Sequence, residues 1–228
     1  MEERFTPEIE GTLRKFMLKV PQVISQCTGI RVFGRRIKSV LFSTDVSIIR
    51  NTNADAIIAV YPFTPQPVIT QAIMTGADIP VFAGVGGGLT QGKRVLNLGL
   101  HAEFQGAMGV VVNAPTKDEV IKRLRQTIDI PIIVTVVSES DDIEKRLEAG
   151  VDILNVSAAA KTPDLVRHIR KDFPTVPIIA TGGPSDESIV ATIEAGANAI
   201  TWTPPSSGEV FKSIMEAYRN NEPHPPIE

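Results

Sequence analysis

A glycine pair in the run Ala180-Thr181-Gly182-Gly183-Pro184-Ser185 has the composition of an anion-binding loop. Glycines let a backbone approach a ligand closely and present its N–H groups. A helix is predicted to begin directly after this run, and a helix N-terminus favours a bound phosphate. The alternative is that the two glycines only make a tight turn. The sequence predicts a phosphate site formed by Thr181, Gly182, Gly183, Ser206 and Ser207.

Two carboxylates and one lysine are the candidates for proton transfer. Asp45 and Glu139 each follow an apolar run, and such a pair at one rim can act as general acid and base or hold Mg²⁺. Each could instead cap the helix that follows it. Lys161 lies further beyond its apolar run, and we weigh contact with an anion, imine chemistry and a solvated side chain. Asn113 and Asn155 are predicted to orient a substrate carbonyl or hydroxyl group.

A second glycine-rich stretch, 84–93, matches the first seven positions of a P-loop over Gly87 to Lys93. Arg94 stands where a P-loop has the Ser or Thr that holds Mg²⁺, so we do not predict a nucleoside triphosphate site. The N–H groups of a flexible loop here could still hold an anion, with Lys93 as a point charge.

The three histidines are not placed for catalysis. His101 and His168 fall within predicted helices, and His224 lies in the C-terminal tail. A zinc hydrolase and a Ser-His-Asp triad are therefore not predicted, and no metal ligands are assigned. A hydrolase built on this sequence would use carboxylates, a lysine or a magnesium ion.

Eight short apolar runs recur from residue 39 onward, and an amphipathic stretch follows each of them. Continuous apolar runs are typical of parallel strands that are buried on both faces. Eight evenly spaced units favour a closed barrel over a doubly wound sheet. The predicted fold is therefore an α/β protein, a (β/α)8 TIM barrel. The runs are 40–42, 56–60, 81–83, 108–112, 130–137, 151–156, 176–180 and 199–202.

The segments that flank the barrel are assigned from local signals. Residues 7–19 are predicted to form an extra N-terminal helix, and 31–38, centred on Gly34, a turn or hairpin. Either could close the bottom of the barrel. The predicted organisation is one domain over 1–228, with helix and turn over 1–38, barrel over 39–219 and a tail over 220–228.

Helix ends are also marked in the sequence. Gly150 and Gly196 follow Glu-Ala pairs and are predicted to take the left-handed position after a helix. The predicted N-cap residues are Thr116, Ser140, Thr162 and Ser185.

Composition limits the classes of partner and location. Lys and Arg number 23 against 26 Asp and Glu, a net charge of −3, which does not favour nucleic-acid binding. The local basic run of Arg31, Arg35, Arg36 and Lys38 is interpreted as a solvated rim. Cys27 is the single cysteine, so no internal disulfide forms. No apolar stretch is long enough for a membrane span, and the charged N-terminus is unlike a signal peptide. We expect a cytoplasmic protein that binds no membrane, with a homo-oligomer left open.

Residues 177–183, followed by 194–200, resemble the phosphate-binding barrels. These include the N-acetylmannosamine-6-phosphate epimerase type, the ribulose-phosphate-binding enzymes and the FMN-dependent barrels. The resemblance implies a phosphorylated small molecule or FMN as ligand. The chain departs from these families at Thr203-Pro204-Pro205, where a Gly-Gly or Gly-Ser pair is common. The whole chain is also similar to bacterial barrel proteins that are sometimes labelled hydrolase.

The sequence therefore leaves several functions as hypotheses. The first is an enzyme on a small phosphorylated metabolite, of the isomerase, epimerase or lyase type. The second is an FMN-binding oxidoreductase. The others are a metal-assisted hydrolase and a non-catalytic regulator of the RNA-binding antiterminator kind, which the net charge disfavours. FMN and Mg²⁺ are the cofactors considered.

Overall fold

The computed structural model describes residues 7, 9, 11–13 and 15–225, and this part of the chain forms ten strands. Two short antiparallel strands come first, β1 (Ile30–Val32) and β2 (Arg35–Ile37). The other eight are β3 (Ser39–Phe42), β4 (Ala56–Ala59), β5 (Val81–Gly86), β6 (Gly109–Val112), β7 (Ile132–Val136), β8 (Ile153–Val156), β9 (Ile178–Thr181) and β10 (Ala199–Trp202).

Strands β3 to β10 are parallel and close into a barrel in chain order, with β10 paired to β3. The predicted barrel is therefore confirmed. Strands four places apart in this ring, such as β3 and β7 or β5 and β9, lie on opposite sides of it.

Helices follow the strands and cover the outside of the barrel. They are α1 (Val46–Ile49), α2 (Pro67–Gly76), α3 (Lys93–Phe104), α4 (Asp118–Arg125), α5 (Ile143–Glu148), α6 (Thr162–Asp172), α7 (Asp186–Glu194) and α8 (Ser207–Arg219). No helix of the described residues is long and apolar enough to cross a bilayer.

The alternation of side chains along each strand separates two cores. Inward-facing residues form one apolar cluster inside the barrel, which includes Phe82, Ile133, Ile153, Ile179 and Ala199. Their neighbours along the strands pack outward against the helices in two further clusters. Both faces of most strand positions are buried, which is why the strands are largely apolar.

The predicted hairpin is confirmed, and it closes the bottom of the barrel. Phe33 and Gly34, with φ of 46° and 80°, form the two-residue turn between β1 and β2. Two positive φ values match the right-handed twist of a hairpin. Ile30, Val32 and Ile37 of this hairpin belong to the same apolar cluster as the barrel interior. The interior is therefore sealed at the end opposite the strand C-termini.

The N-terminal helix predicted over 7–19 is wrong for the residues described there. These residues form turns, a bend and a bridge between Leu18 and Thr52. The Leu18 N–H donates to Asn51 O at 2.7 Å, and the Val20 N–H donates to Asn53 Oδ1 at 2.8 Å. These bonds take backbone donors that a helix would need. A short 3-10 helix follows instead at Gln22–Gln26 and contacts α7.

Helix boundaries confirm some sequence predictions and contradict others. Gly150 and Gly196 have φ of 103° and 112°, as predicted. Ser185 caps α7 through its side chain. The other three N-cap predictions are wrong, because the helices begin one or more residues away: α4 follows Lys117, α5 is capped by Asp142, and α6 already includes Thr162.

Polar side chains at the bottom of the barrel bind the backbones of neighbouring strands. Asp55, Asp152 and Asn198 each precede a strand and accept a backbone N–H from the strand before it, with Asp152 accepting from Ile132 at 2.8 Å and Asn198 from Ile178 at 2.9 Å. Arg170 of α6 adds a bond to Asn198 Oδ1 at 2.7 Å. These hydrogen bonds serve stability, since active sites in this fold lie at the other end of the barrel, where the strands have their C-termini.

Candidate functional site

The floor of the barrel mouth is polar on four consecutive strands. Ile133, Ile153, Ile179 and Ala199 line the interior, so the residues two positions further along β7 to β10 face the same way, one layer nearer the mouth. The side chains in that layer are Thr135, Asn155, Thr181 and Thr201. Two of the predicted site residues, Asn155 and Thr181, lie in this layer.

Two oxygen atoms of this polar layer have no hydrogen-bond partner among the described residues. Asn155 donates from Nδ2 to Thr135 Oγ1 at 3.3 Å, while its Oδ1 is buried and unpaired. Thr201 Oγ1 is likewise buried and unpaired. Thr181 donates to Ser157 Oγ at 3.1 Å. A buried polar group without a partner costs about 1–3 kcal/mol, so these two atoms are candidates for a bond to an ordered water or to a ligand.

A groove of about 440 Å³ adjoins this layer at the ends of β9 and β10. Its walls include Thr181, Gly183, Ser185, Thr201 and Thr203. Gly183 has a φ of 85°, and its N–H donates to none of the described residues. The predicted phosphate loop therefore borders an open groove.

Gly182 has a packing role beside that groove. A Cβ at Gly182 would lie 2.7 Å from Ile200 Cγ2 and 2.8 Å from Ile189 Cγ1. The absence of a side chain here lets the turn pack on the outer core. The tight-turn interpretation of the glycine pair therefore accounts for Gly182, whereas Gly183 also offers a free donor.

The helix N-termini around this groove already hold carboxylates. In α8, Ser206 and Glu209 form a reciprocal capping box, with the Ser206 N–H donating to Glu209 at 2.7 Å. Hydrogen bonds from the Ser206 side chain and backbone lower the pKa of Glu209. In α7 the first turn carries Asp186 and Glu187. Anionic side chains at these positions compete with a phosphate for the positive helix ends.

Asp45 is engaged as the cap of α1. Its Oδ1 accepts the Ser47 N–H at 2.8 Å and the Ser47 hydroxyl at 2.6 Å, and its Oδ2 accepts the Ser207 hydroxyl. The hydrogen bonds from Ser207 and then Ser47 hold the pKa of Asp45 below its ordinary value. The carboxylate is therefore ionised at neutral pH, and the Ser207 hydroxyl predicted to grip a phosphate is bonded to it.

Glu139 and Lys161 occupy separate parts of the rim. Glu139 is exposed after β7 and lines a groove on the outside of α5 and α6 with Asp141, Asp142 and His168. Lys161 ends a 3-10 helix, Ala159–Lys161, and is exposed. Asp45 and Glu139 follow β3 and β7, so the structure places them on opposite sides of the mouth.

Asn113 lies on a different wall, in a cavity of about 190 Å³ beside β4, β5 and β6. Tyr61, Phe63 and Leu89 give this cavity an apolar side, and Thr90 and Asn113 give it a polar one. The Asn113 side chain forms no hydrogen bond with the described residues, and its backbone bonds Gly86 and Thr116. An amide beside aromatic rings suits a flat, polar ligand group.

The described residues include no cluster of three or more His, Cys, Asp or Glu side chains that could hold a metal ion. His101 and His168 lie on α3 and α6, as predicted. Cys27 is buried in the segment before β1.

Sequence reasoning did not identify Thr135, Thr201 or Thr90. The signal was present, since Thr135 and Thr201 each interrupt an otherwise apolar strand. A polar residue two positions after an inward-facing apolar one, at a strand's C-terminal end, belongs to the mouth of a barrel.

No family model matches the chain. It is 29% identical over 101 residues to a thiamine-phosphate synthase of Geobacillus thermodenitrificans, covering 40% of this chain and 46% of that protein. It is 28% identical over 124 residues to the thiamine-phosphate synthase of Geobacillus kaustophilus, covering 47% and 56%. The matched region thus spans about half the length of these curated relatives.

Solved structures share the fold at low sequence identity. A phosphoenolpyruvate phosphomutase from Streptomyces platensis subsp. rosaceus superposes with a TM-score of 0.62 at 11% identity, over 81% of this chain and 83% of that one. A mandelate oxidase superposes with a TM-score of 0.63 at 15% identity, over 78% and 68%. Together with the mouth described above, these findings define the chain as a (β/α)8 barrel protein with a polar pocket at the C-terminal ends of its strands.

Proposed function

We propose that this chain is an enzyme that acts on a small phosphorylated metabolite, with isomerase, epimerase or lyase chemistry at the barrel mouth. The observation that carries the proposal is the pair of buried, unpaired oxygens, Asn155 Oδ1 and Thr201 Oγ1, in the floor of the mouth. A buried polar atom without a partner calls for an explanation, and a ligand that completes the bond is the one proposed here. The partial relatives are thiamine-phosphate synthases and one fold neighbour is a phosphomutase, and these activities support a phosphorylated substrate.

The phosphate is proposed to lie in the groove at the ends of β9 and β10. The free N–H of Gly183 is the proposed donor on that wall, which Thr181 also lines while its hydroxyl donates to Ser157. Ser206 and Ser207, which cap α8 and bind Asp45, are proposed to support the loop and not to touch the phosphate. The carbon skeleton would then extend over Asn155 and Thr201, toward Asn113 on the far wall.

Proton transfer requires a group that is free to gain and lose a proton. Asp45 is held ionised by its hydrogen bonds, so we assign it to positioning the β3–α1 loop. Glu139 and Lys161 are exposed at the rim, and their side chains form no ion pair with the described residues. They are the proposed proton carriers, reaching the substrate by rotation of the exposed side chains.

The test is a binding screen with sugar phosphates and three-carbon phosphates, read by amide chemical shifts in ¹⁵N-labelled protein. Shifts at the Gly183 amide and the Asn155 side-chain amide are expected with one phosphorylated compound and absent with its dephosphorylated form. Asn155→Leu should abolish the response. Asn51→Ala, at the bottom of the barrel, should leave it intact.

Two outcomes would overturn the proposal. One is a screen in which no phosphorylated compound shifts either probe. The other is saturable uptake of FMN, seen as a yellow protein with its flavin at Gly183, which would select the oxidoreductase alternative.

A further inference from the structure

We propose that the cavity beside β4, β5 and β6 binds a single planar ring whose edge carries a hydrogen-bond donor next to an acceptor. The inference rests on the proposed function, because it names the part of the substrate that lies away from the phosphate. The cavity is centred on β5 and Gly183 follows β9, and these strands are four places apart in the closed barrel. The substrate class is then a phosphorylated compound with one aromatic or heteroaromatic ring.

The mouth has an apolar half beside the polar layer of β7 to β10. Ile58 and Phe82 belong to the apolar cluster inside the barrel. Val60 and Gly84 come two residues later along the chain, so they face the same way, one layer nearer the mouth. Both of them line the cavity. A ligand with an apolar end over β4 and β5 and a polar end over β7 to β10 therefore matches the mouth.

Glycines of β5 and of the loop after it form the middle wall of the cavity, between β4 and β6. Gly84, Gly86 and Gly88 line it, so side chains do not cover the backbone there. Packing accounts for two of them, since a Cβ would lie 3.0 Å from Ala59 O at Gly84 and 2.5 Å from Val95 Cγ2 at Gly86. A Cβ at Gly88 would meet no atom within 4 Å. The bare backbone offers a flat surface to a planar ring.

Aromatic and apolar side chains form the wall on the β4 side. Tyr61 and Phe63 follow β4 and line the cavity. The Tyr61 hydroxyl accepts the Gln66 N–H at 3.1 Å, which holds the tyrosine to its own loop. Phe63 is 73% exposed, and Leu89, from the loop after β5, is 88% exposed. Single exposed apolar side chains are common, but these two border one cavity from two loops, and a bound ring would bury part of each.

Asn113 supplies the polar edge on the β6 side. Its backbone is fixed, since its N–H donates to Gly86 O at 2.9 Å and its carbonyl accepts the Thr116 N–H at 3.0 Å. Its side-chain amide forms no hydrogen bond with the described residues. A free amide presents a donor next to an acceptor and pairs with a ring edge that carries the complementary groups, as asparagine does with adenine.

Charge and size narrow the class of ligand group. The described residues that line the cavity include no Asp, Glu, Lys, Arg or His. A phosphate placed there would lose water without gaining a cation, so the cavity favours a neutral group. Its volume is about 190 Å³. A cavity of about 150 Å³ holds one benzene ring, so one six-membered ring fits here and a fused three-ring system does not.

The experiment titrates three small molecules into the ¹⁵N-labelled full chain. 2-Pyridone is flat and carries an N–H beside a carbonyl, 2-piperidone has the same edge on a puckered ring, and benzene is flat and has no polar edge. Saturable shifts with 2-pyridone are expected at the backbone amides of Gly84, Gly86 and Gly88 and at the Asn113 side-chain amide. Benzene should shift the glycines alone, and 2-piperidone should bind several-fold more weakly than 2-pyridone.

Two variants separate the edge from the wall. Asn113→Leu removes the amide and keeps a side chain of similar size, so 2-pyridone should bind about tenfold more weakly while benzene still binds. Leu89→Ser changes an exposed side chain, so folding should be unaffected, and it should weaken both flat rings to the same extent. The control, Asn220→Leu, makes the same change as the first variant at an exposed position after α8 and should bind as the parent does.

The proposal is overturned if 2-pyridone shifts none of the three glycine amides, if 2-piperidone binds as tightly as 2-pyridone, or if Asn113→Leu keeps the preference for 2-pyridone over benzene. The proposed function is read separately, at Gly183. Cavity shifts in a protein whose Gly183 responds to no phosphorylated compound would overturn the proposed function and leave the ring site standing. A phosphate response at Gly183 with an unresponsive cavity would do the reverse.

Discussion

The Asp45 carboxylate accepts a hydrogen bond from the hydroxyl group of Ser207, a residue that lies 162 positions later in the sequence. Asp45 lies between β3 and α1, and Ser207 is the first residue of α8, so the bond joins the first and last units of the barrel. Ser47 completes a triangle, with its hydroxyl 3.0 Å from that of Ser207. The strand pairing of β10 with β3 closes the barrel wall, and the hydrogen bonds among Asp45, Ser47 and Ser207 connect the loops above this pairing.

Replacing Asp45 tests whether that network supports the fold. Asp45→Ala should cost about 1–2 kcal/mol of unfolding free energy, because it removes the α1 cap and the acceptor for Ser207. Asp45→Asn should cost less, since asparagine also caps helices. Urea unfolding at neutral pH measures both. Ser207→Ala, which removes only the cross-barrel bond, is the matched control and should cost about 1 kcal/mol. Equal stability of all four proteins would contradict the assignment.

The same carboxylate predicts a pH dependence. The pKa of Asp45 is lower in the folded chain than its ordinary value of 3.8. Its stabilising effect is therefore complete above the unfolded-state pKa and is lost as the pH falls through the folded-state pKa. The stability gap between the parent and Asp45→Asn should narrow as urea unfolding is repeated toward strongly acid pH. A gap that stays constant with pH would show that charge is not involved.

Two glycines in the mouth loops should respond differently to the same substitution. Gly183→Ala should cost about 1–3 kcal/mol, because its φ is 85° and the new Cβ would lie 2.6 Å from Ser188 Oγ. Gly88→Ala should change stability by less than about 0.5 kcal/mol, since its Cβ meets nothing. Thermal or urea unfolding of both variants checks the pair, and a larger loss at Gly88 would refute the packing argument.

The strands and their order could be predicted because burial on two faces leaves a direct mark in sequence. The run Ile178-Ile179-Ala180 is apolar at every position, since Ile179 faces the barrel interior and Ile178 and Ala180 face the helices. The conformation of Gly150 could also be predicted, because a residue with a positive φ follows the end of the helix there. Both signals are local, so no knowledge of the closed barrel was needed.

The pairing of polar side chains could not be predicted in this way. Whether Asp45 caps a helix or faces a substrate depends on Ser207, which arrives only when the ring closes. Thr201 becomes an unpaired buried hydroxyl only because the inward direction is fixed by strand register with β9 and β3. A shift of one residue would turn it toward the helices. The helix prediction for the N-terminal segment was wrong for a related reason, since Asn51 and Asn53 bind the backbone of that segment from across the bottom of the barrel.

Arg170 should be the most sensitive side chain at the bottom of the barrel. It donates to Gly196 O at 2.9 Å, to Val176 O at 2.6 Å and to Asn198 Oδ1 at 2.7 Å. Arg170→Met keeps much of the apolar stem but leaves the Gly196 and Val176 carbonyls without this donor, and we expect a loss of about 2–4 kcal/mol. Arg167→Met, on the same helix but bonded to exposed Asp164, should cost less than about 1 kcal/mol. Urea unfolding compares the two, and similar losses would contradict the prediction.

The thiol of Cys27 should be unreactive in the folded chain. Its side chain is 2% exposed, and burial raises the pKa of its thiol to about 11, an effect that Lys38 only partly offsets. Because the thiolate is the reactive form, alkylation by iodoacetamide should be slow at mildly alkaline pH and become fast when urea unfolds the protein. Rapid labelling without denaturant would show that the thiol is accessible.

Thr201→Val should raise stability and weaken ligand binding together. The substitution keeps the shape of the side chain and removes a buried hydroxyl oxygen that has no partner among the described residues, so we expect a gain of about 1 kcal/mol. Thr192→Val is the matched control, since that buried hydroxyl donates to Ser188 O at 2.8 Å and its removal should destabilise the protein. The changes in unfolding free energy relative to the parent protein should therefore have opposite signs for the two variants. A loss of stability at Thr201 would mean that its hydroxyl is already satisfied within the protein, and the proposed function would then lose one of the two atoms on which it rests.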